Sequence, residues 1–277
     1  RRRTDRFKIR VAPAASRFDL RSLDSSSATT IAADFVTDAS ASFVADPFLF
    51  SNGGVLWLLF EALDQDAGRG VICAASSEDA LEWKYFGKVL EENFHLSYPH
   101  LISHGGEIYM IPETHETHSV RLYRAEEFPS KWTHEATLLT GHLFCDSTVF
   151  FKDGMWWMFT TVEPHLHLYF SKSLTGPWQQ HPSNPIIASS RQHARMGGSV
   201  FEHDGRWIRV SQDGARRYGH FLRGYEILEL SETTYRETEL SESPILTPRR
   251  KSWKPRGCHH LDGVEFGGKW VIASDGY

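Results

Sequence analysis

The sequence predicts an all-β protein with the fold of a five-bladed β-propeller. Five segments of one pattern begin at residues 45, 98, 145, 197 and 258. Their spacing of about 50 residues is typical of propeller blades, which contain four strands each. No window of a dozen residues has an apolar period of 3.6, so only single helical turns are expected. The alternative of two stacked β-sandwiches would not explain five copies of one pattern.

Each copy predicts a β-hairpin. A small or polar opening leads into an alternating apolar stretch, a glycine-containing turn and an aromatic-rich strand, which together are typical of tight hairpins. The turns, in chain order, are Asn52-Gly53-Gly54, Gly105-Gly106, Asp153-Gly154, Asp204-Gly205 and Gly267-Gly268. Outer strands are expected between the hairpins, at residues 71–75, 120–125, 166–171 and 221–230.

One domain is expected over residues 1–277. The sequence ends just after the second strand of the fifth hairpin, and an open blade would leave backbone groups unpaired at its edge. The N-terminal segment 1–44 is therefore predicted to complete the last blade, with strands at residues 7–11 or 31–36.

Composition excludes several classes of protein. The chain is 40% hydrophobic and 23% charged, which is typical of a chain that buries a core rather than of a disordered one. Its net charge of −5 is a poor match for a phosphate backbone, so nucleic acid is not an expected partner. No apolar run approaches the ~20 residues of a membrane-spanning helix.

The hairpin geometry predicts where acidic side chains gather. The innermost strand of a blade starts at one mouth of the channel, and the hairpin returns its partner to that mouth. First strands open at Asp46, His100, Asp146, Ser199 and His260, and second strands end at Glu61, Glu113, Glu163, Asp213 and Asp275. Seven carboxylates are thus expected at one mouth. They either accept backbone hydrogen bonds or form the carboxylate pairs that cleave glycosides.

Two resemblances to known families follow from particular residues. The Ala45-Asp46-Pro47 opening of the first blade resembles the five-bladed glycosidases of the arabinanase and xylosidase type. This resemblance implies that Asp46 is the general base. The openings of blades two and three, Tyr98-Pro99-His100 and Asp146-Ser147, depart from the acidic pattern of that group.

A second resemblance covers most of the chain. In several strings the chain is similar to the N-terminal propeller-like region of glucosamine inositolphosphorylceramide transferases and their bacterial relatives. These are HLSYPHL (95–101), IYMIPET (108–114), RLYRAEEFPSKW (121–132), LTGPW (174–178), ARMGGSVF (194–201), SQDGARRYG (211–219) and HHLDG (259–263). In that family a separate C-terminal domain carries the transferase chemistry, so the resemblance implies a fold and a glycan context.

The matched strings also point to individual residues. Asp46, Glu113 and Asp146 are the candidate catalytic residues, with Asp46 as base or nucleophile and either Glu113 or Asp146 as acid. The candidate substrate-binding residues are Tyr98, His100, Arg195, Gln212, Asp213, Tyr218, His259 and His260. Arg195 is expected either to bind an anionic substrate group or to pair with one of the acids. His260 either contacts a channel ion or an acid, or is a structural histidine.

Two functions therefore remain open. The first is a glycoside hydrolase-like or glycosyl-transfer-related enzyme acting on a glycan at the acidic mouth. The second is a non-catalytic module that binds a glycan or glycoconjugate and works with a partner glycosyltransferase domain. No diffusible cofactor is expected, although a structural cation in the channel fits the acids and His260. The pair His115 and His118 is expected in an exposed loop, because a zinc-protease motif needs them on a helix.

Overall fold

The computed structural model describes residues 7–250 and 252–277. Almost all regular structure there is β, in five antiparallel sheets of four or five strands, and the fold is the predicted five-bladed β-propeller. The described residues include only three short 3₁₀ turns, at Leu20–Asp24, Ala33–Phe35 and His115–Thr117. None of the described helices is long and apolar enough to cross a membrane.

The first three blades follow the chain from innermost to outermost strand. Blade one contains β3 (Ala41–Asn52), β4 (Val55–Asp64), β5 (Arg69–Ser77) and β6 (Lys84–Leu90). Blade two contains β7 (Ser97–His104), β8 (Glu107–Glu113), β9 (Ser119–Glu127) and β10 (Lys131–Thr140). Blade three contains β11 (Cys145–Lys152), β12 (Met155–Val162), β13 (His165–Ser171) and β14 (Gln179–Gln180).

The last two blades are less regular. In blade four the innermost strand is split into β15 (Arg195–Met196) and β16 (Phe201–His203), beside β17 (Arg206–Asp213), β18 (Phe221–Leu230) and β19 (Tyr235–Glu239). Blade five contains β20 (Leu261–Phe266), β21 (Lys269–Gly276), β1 (Lys8–Ala14) and β2 (Thr29–Ile31). The N-terminal strands therefore lie beside the last hairpin, with Lys8 opposite Gly276 and Ile9 opposite Ile31.

The chain divides into two compact units. The first consists of Arg1–Pro99 and Pro248–Tyr277, and the second of His100–Thr247. In the first unit, alternate residues of β4 such as Leu56, Leu58 and Phe60 are buried in one core. In the second, Ile111, Leu122 and Met158 belong to a corresponding core. Both follow the period of two by which one face of each strand is buried.

The predicted strand positions need small corrections. The expected outer strands lie within β5, β9, β13 and β18. The N-terminal strands begin at Lys8 and Thr29, and residues 33–35 of the expected strand 31–36 form a 3₁₀ turn instead.

Candidate functional site

The second unit brings two candidate catalytic carboxylates together. Glu113 ends β8, and Asp146 lies at the start of β11. The Asp146 N–H donates to Glu113 Oε2 at 3.1 Å. Only 6% of Glu113 and 2% of Asp146 is exposed. An acid at the end of one blade's second strand therefore holds the opening of the next blade.

The backbone of Asp146 explains how its N–H reaches Glu113. Asp146 has φ of 50°, in the left-handed region, and the pairing of β11 with β12 shifts register between Cys145 and Thr148. Asp is among the residues that tolerate this conformation, which is a frequent feature of functional and strained sites. The irregularity turns the Asp146 amide out of the β ladder and toward the preceding blade.

Arg195 neutralises this acid pair. It opens β15, where its partner across the ladder is Gln212. Its Nε is 2.6 Å from Asp146 Oδ2, and its two terminal nitrogens are 3.0 Å from Glu163 Oε1 and 3.7 Å from Glu113 Oε2. The three nitrogens of one guanidinium thus each face a different carboxylate, as its planar fork allows.

Gln212 and His115 complete the polar shell of the pair. Gln212 Nε2 donates to Asp146 Oδ2 at 2.9 Å and to the Met196 carbonyl at 2.7 Å. His115 Nδ1 lies 2.8 Å from Glu113 Oε1, because the 3₁₀ turn after β8 folds the imidazole back over the strand end. His115 therefore contacts Glu113 while 31% of its side chain stays exposed, and His118 is exposed as expected.

The two carboxyl groups have different acidities. Burial raises the pKa of Asp146 to about 7; the Arg195 charge offsets part of this rise, and the neighbouring Glu113 charge adds to it. Burial acts in the same direction on Glu113, but the His115 hydrogen bond and the Arg195 charge outweigh it and lower the pKa to about 2. The pair therefore takes up one proton as the pH falls through about 7.

A cavity of about 240 Å³ opens beside Arg195. Its polar lining includes Thr161, Glu163, Arg191, Arg195 and Gln212. Tyr218 closes one side with its ring 5.2 Å from the Arg195 guanidinium carbon, although 52% of this residue is exposed. An aromatic face next to several hydrogen-bonding groups forms a surface suited to an amphipathic polar ligand.

The first unit contains a second buried acid network, centred on Asp275 at the end of β21. Asp275 Oδ1 accepts the N–H groups of His259 and His260 at 2.9 and 3.1 Å. Its Oδ2 accepts the Asp46 N–H at 3.1 Å and lies 2.6 Å from His259 Nδ1. Burial works to raise the pKa of Asp275, but the two histidines and these hydrogen bonds lower it.

Asp46 belongs to the same network. It has φ of 51°, and its Oδ2 accepts the Tyr98 N–H at 3.3 Å. Its Oδ1 lies 3.7 Å from Nδ1 of both His259 and His260. Only 5% of Asp46 is exposed, so this candidate base is enclosed by protein groups.

Three side chains of this network are candidate ligands of the predicted structural cation. One ligand atom from each of Asp46, His259 and Asp275 lies within 4.8 Å of the others. Asp275, however, already accepts three backbone N–H groups and lies in hydrogen-bond distance of an imidazole, which uses its oxygens. The set fits an internal hydrogen-bond network better than a complete coordination shell, and the cation stays a prediction.

Comparison with known proteins identifies the family. A model described as glucosamine inositolphosphorylceramide transferase 1, N-terminal, matches residues 21–277. The chain belongs to this family. It is 35% identical over 275 residues to glucosamine inositolphosphorylceramide transferase 1 of Oryza sativa subsp. japonica, covering 92% of this chain and 37% of the relative. The Arabidopsis thaliana protein of the same name is 36% identical over 248 residues, covering 85% and 32%.

Solved structures of glycoside hydrolases share the fold of this family member. A thermostable family-43 glycoside hydrolase has a TM-score of 0.57 at 15% identity, covering 73% of this chain and 77% of that one. The Cellvibrio cellulosa α-L-arabinanase complexed with arabinohexaose gives 0.57 at 15% identity, covering 75% and 81%. The β-xylosidase RS223 gives 0.61 at 13% identity, covering 76% and 79%. Both predicted resemblances are confirmed, and the chain is a carbohydrate-related propeller.

The other predicted site residues have separate surroundings. Tyr98 is fully buried with φ of 47°, and its ring meets those of Phe48 and His260 at centroid distances of 4.9 and 5.2 Å. His100 is 4% exposed and donates from Nε2 to the Val149 carbonyl at 2.8 Å. Asp213 accepts from Arg223 Nε at 2.9 Å. Burial lowers the pKa of His100 to about 4, so it is neutral at pH 7.

The predicted mouth residue of blade two was wrong by two positions. His100 was predicted to be equivalent to Asp46 and Asp146, but the shared left-handed backbone falls on Asp46, Tyr98 and Asp146. Sequence reasoning also missed two members of the site in the second unit, His115 and Arg191. Neither belongs to the part of the repeat that recurs in every blade, so the pattern contained no signal for them.

Proposed function

We propose that this propeller is a non-catalytic module that binds a glycan or glycoconjugate in the cavity beside Tyr218. The observation that carries the proposal is the exposed Tyr218 ring above Arg195, at the edge of a polar cavity. Aromatic rings offer a flat apolar face against which a sugar can stack, while the lining side chains supply hydrogen bonds to its hydroxyl groups.

The surroundings of the candidate catalytic residues support binding over cleavage. A glycosidase needs one carboxyl group that reaches the glycosidic oxygen and another that reaches water or the anomeric carbon. Asp46, Glu113 and Asp146 are each at most 6% exposed and bonded to protein donors. Their charge and hydrogen-bonding capacity are used inside the protein.

The cavity suits a small part of a larger glycan. Its volume of about 240 Å³ is below the ~300–1,000 Å³ of sites for drug-sized ligands, which favours a single sugar residue. The rest of a glycoconjugate would then extend along the surface past the exposed Tyr218.

The family supports a role beside a transferase. The chain spans about a third of the length of these relatives, which are named for glucosamine transfer to inositolphosphorylceramide. We propose that the propeller presents a glycan or glycoconjugate to a glycosyltransferase domain, on the same chain or on a partner.

A second candidate function is glycoside hydrolysis, favoured by the acidity of one residue. With a pKa of about 7 beside an ionised Glu113, Asp146 has the property required of a general acid near neutral pH. In that alternative Asp146 donates the proton to the leaving oxygen after a substrate displaces part of its hydrogen-bonded shell.

A glycan-binding measurement tests the first proposal. The purified chain is screened against a panel of mono- and oligosaccharides, and the best ligand is titrated by calorimetry into wild type, Tyr218→Ala and Phe151→Ala. Phe151 is the matched control, since it is 51% exposed and lies on β11, outside the cavity lining. We expect Tyr218→Ala to weaken binding about tenfold, equivalent to ~1.4 kcal/mol, and Phe151→Ala to leave it unchanged. Equal effects of the two substitutions, or the absence of any glycan ligand, would contradict the proposal.

A further inference from the structure

A second cavity lies in the first unit, among residues that the proposed function does not use. Its volume of about 510 Å³ falls within the ~300–1,000 Å³ of pockets that hold small ligands. The lining combines an indole ring, a hydroxyl group, one carboxylate and two guanidinium groups, which belong to Trp253, Ser252, Asp24, Arg10 and Arg249. It shares no residue with the lining of the cavity beside Tyr218.

Arg10 forms a fixed wall of this cavity. It lies on β1, and its Nε and Nη2 donate to the carbonyls of Leu23 and Ser25 at 3.1 and 2.8 Å. Its Nη1 donates to the Thr30 hydroxyl at 2.8 Å. Because all three nitrogens have protein partners, the guanidinium is held in one orientation before a ligand arrives.

The indole of Trp253 is held in place by its neighbours. The Arg249 N–H donates to the Lys254 carbonyl at 3.2 Å, and the Ser252 N–H donates to the Arg249 carbonyl at 2.9 Å, so the loop closes on itself. Trp253 packs against Gly276, where a Cβ atom would lie 2.8 Å from the indole ring. The buried Lys254 ammonium lies 5.2 Å from the centre of that ring. The half-buried indole is therefore a firm apolar part of the lining.

Asp24 and Arg249 leave hydrogen-bonding capacity open beside this indole. Asp24 Oδ2 lies 3.5 Å from Arg249 Nη1, and Asp24 Oδ1 lies 3.7 Å from Lys254 Nζ. Both distances exceed the ~2.7–2.9 Å of a charge-assisted hydrogen bond. The Arg249 side chain is 66% exposed and makes no other ion pair with the residues that the structure describes. An acceptor and a donor with open capacity therefore lie side by side.

We infer that this cavity is a second saccharide site, which binds a neutral sugar through neighbouring hydroxyl groups. A hydroxyl group both donates and accepts, so two hydroxyls of one sugar can donate to Asp24 and accept from Arg249 at the same time. The Trp253 ring offers an apolar surface to the face of the sugar.

The carboxylate favours a neutral ligand over an anion. An anion only accepts hydrogen bonds, so it would pair with Arg249 but would be repelled by Asp24 and would leave that acceptor unfilled. A neutral sugar satisfies both side chains. The inference goes beyond the proposed function, because it concerns other residues in the other unit.

The experiment uses neutral and anionic probes on the full chain. Methyl glucoside, methyl galactoside and methyl mannoside are the neutral sugars, and inorganic phosphate is the anion. Each is titrated by calorimetry into wild type, Arg249→Gln, Asp24→Ala and Tyr218→Ala. Arg250→Gln is the matched control, because Arg250 is the neighbouring arginine, is also exposed and lies outside the lining. Thermal unfolding of each variant checks that it is folded.

We expect at least one neutral sugar to bind this cavity. Arg249→Gln and Asp24→Ala each weaken that binding about tenfold, because each removes one partner of the hydroxyl pair. Arg250→Gln and Tyr218→Ala leave it unchanged. Phosphate responds to Asp24→Ala in the opposite direction, since the repelling carboxylate is removed. If Asp24→Ala does not fold, Arg249→Gln still tests the site, because its side chain is exposed.

The outcomes separate this inference from the proposed function. Sugar binding that Tyr218→Ala weakens and Arg249→Gln does not would overturn the inference and leave the proposed function standing. Sugar binding that Arg249→Gln weakens and Tyr218→Ala does not would support the inference alone. The inference also fails if none of the neutral sugars binds, or if Arg249→Gln weakens only the binding of phosphate.

Discussion

The two buried acid networks share one backbone arrangement but differ in the side chains that contact the acids. In the first unit the Asp275 carboxylate accepts the N–H of Asp46, and in the second the Glu113 carboxylate accepts the N–H of Asp146. In both, the donor has a left-handed backbone at the opening of a blade. In the first network the acids contact the imidazoles of His259 and His260, whereas in the second they pair with the guanidinium of Arg195.

This difference teaches which acids are available to a ligand. His259 is 3% exposed, with its ring stacked on Phe7 at 4.4 Å, so the first network is closed. Arg195 reaches from the second network into the lining of a cavity. Arginine stays charged at every physiological pH, and its fork spans several carboxylates. Arg195 therefore connects the buried acids Glu113 and Asp146 to a surface that a ligand can contact.

The largest effect is expected from the network centred on Asp275. Asp275→Ala leaves three backbone N–H groups and the His259 imidazole without their acceptor. We expect unfolding by urea to show a loss of about 3–5 kcal/mol, the usual cost of breaking a buried pair. Because the pKa of Asp275 is lowered in the folded protein, this contribution is present above the unfolded pKa of about 4 and is lost as the pH falls below it. A loss below about 1 kcal/mol would contradict the structural role of Asp275.

The stability of the network paired with Arg195 should depend on pH between 5 and 8. Arg195→Met leaves the buried Asp146 and Glu113 without their shared cation, and we expect a loss of about 3 kcal/mol at pH 8. At pH 5 the loss should be roughly half as large, since Asp146, with its pKa of about 7, is then neutral in both proteins.

The pH dependence of Arg195→Met tests the protonation of Asp146. Urea unfolding is measured at pH 5 and 8 for Arg195→Met, with Arg236→Met as the exposed control. A cost of Arg195→Met that is the same at both pH values would show that the Asp146 carboxyl does not hold a proton near neutrality.

A smaller effect is expected at His100, which lies outside both networks. Its pKa of about 4 is below the unfolded value of about 6.5, so the unfolded chain binds the extra proton between these values. Stability from this residue is therefore complete above pH 6.5 and is lost as the pH falls toward 4, by up to ~3 kcal/mol.

His100→Gln should reduce this acid destabilisation, because the amide can still donate to the Val149 carbonyl without titrating. His104→Gln, at an exposed position on the same strand, is the control. If both variants follow the wild-type pH profile of unfolding, His100 is not held neutral by burial.

Much of the fold was accessible from sequence because hairpins are local. Turns such as Asp153-Gly154 require left-handed backbone at both positions, and the flanking strands alternate in polarity. Each hairpin can therefore be recognised from its own residues. The fourth strands have no such signal, because β14 has only two residues and the longer β10 is mostly exposed or half-buried.

The site was predicted less completely because its contacts are not local. The sequence indicated Glu113, Asp146, Arg195 and Gln212 as candidates, and the structure brings these four together in one network. Sequence patterns could not place His115, because its contact with Glu113 depends on a single 3₁₀ turn. It also could not distinguish an arginine that pairs with internal acids from one at the cavity rim, since that depends on positions in space.

The central claim is that the buried carboxylates hold the fold and the cavity binds a glycan without cleaving it. The most direct test incubates the purified chain with its best glycan ligand and a panel of aryl glycosides, alongside Asp46→Asn and Asp146→Asn. We predict binding in the wild type, no product from any substrate, and lower thermal stability in both variants. Release of product by the wild type that either substitution abolishes, with the variant still folded, would contradict the account and establish the hydrolase.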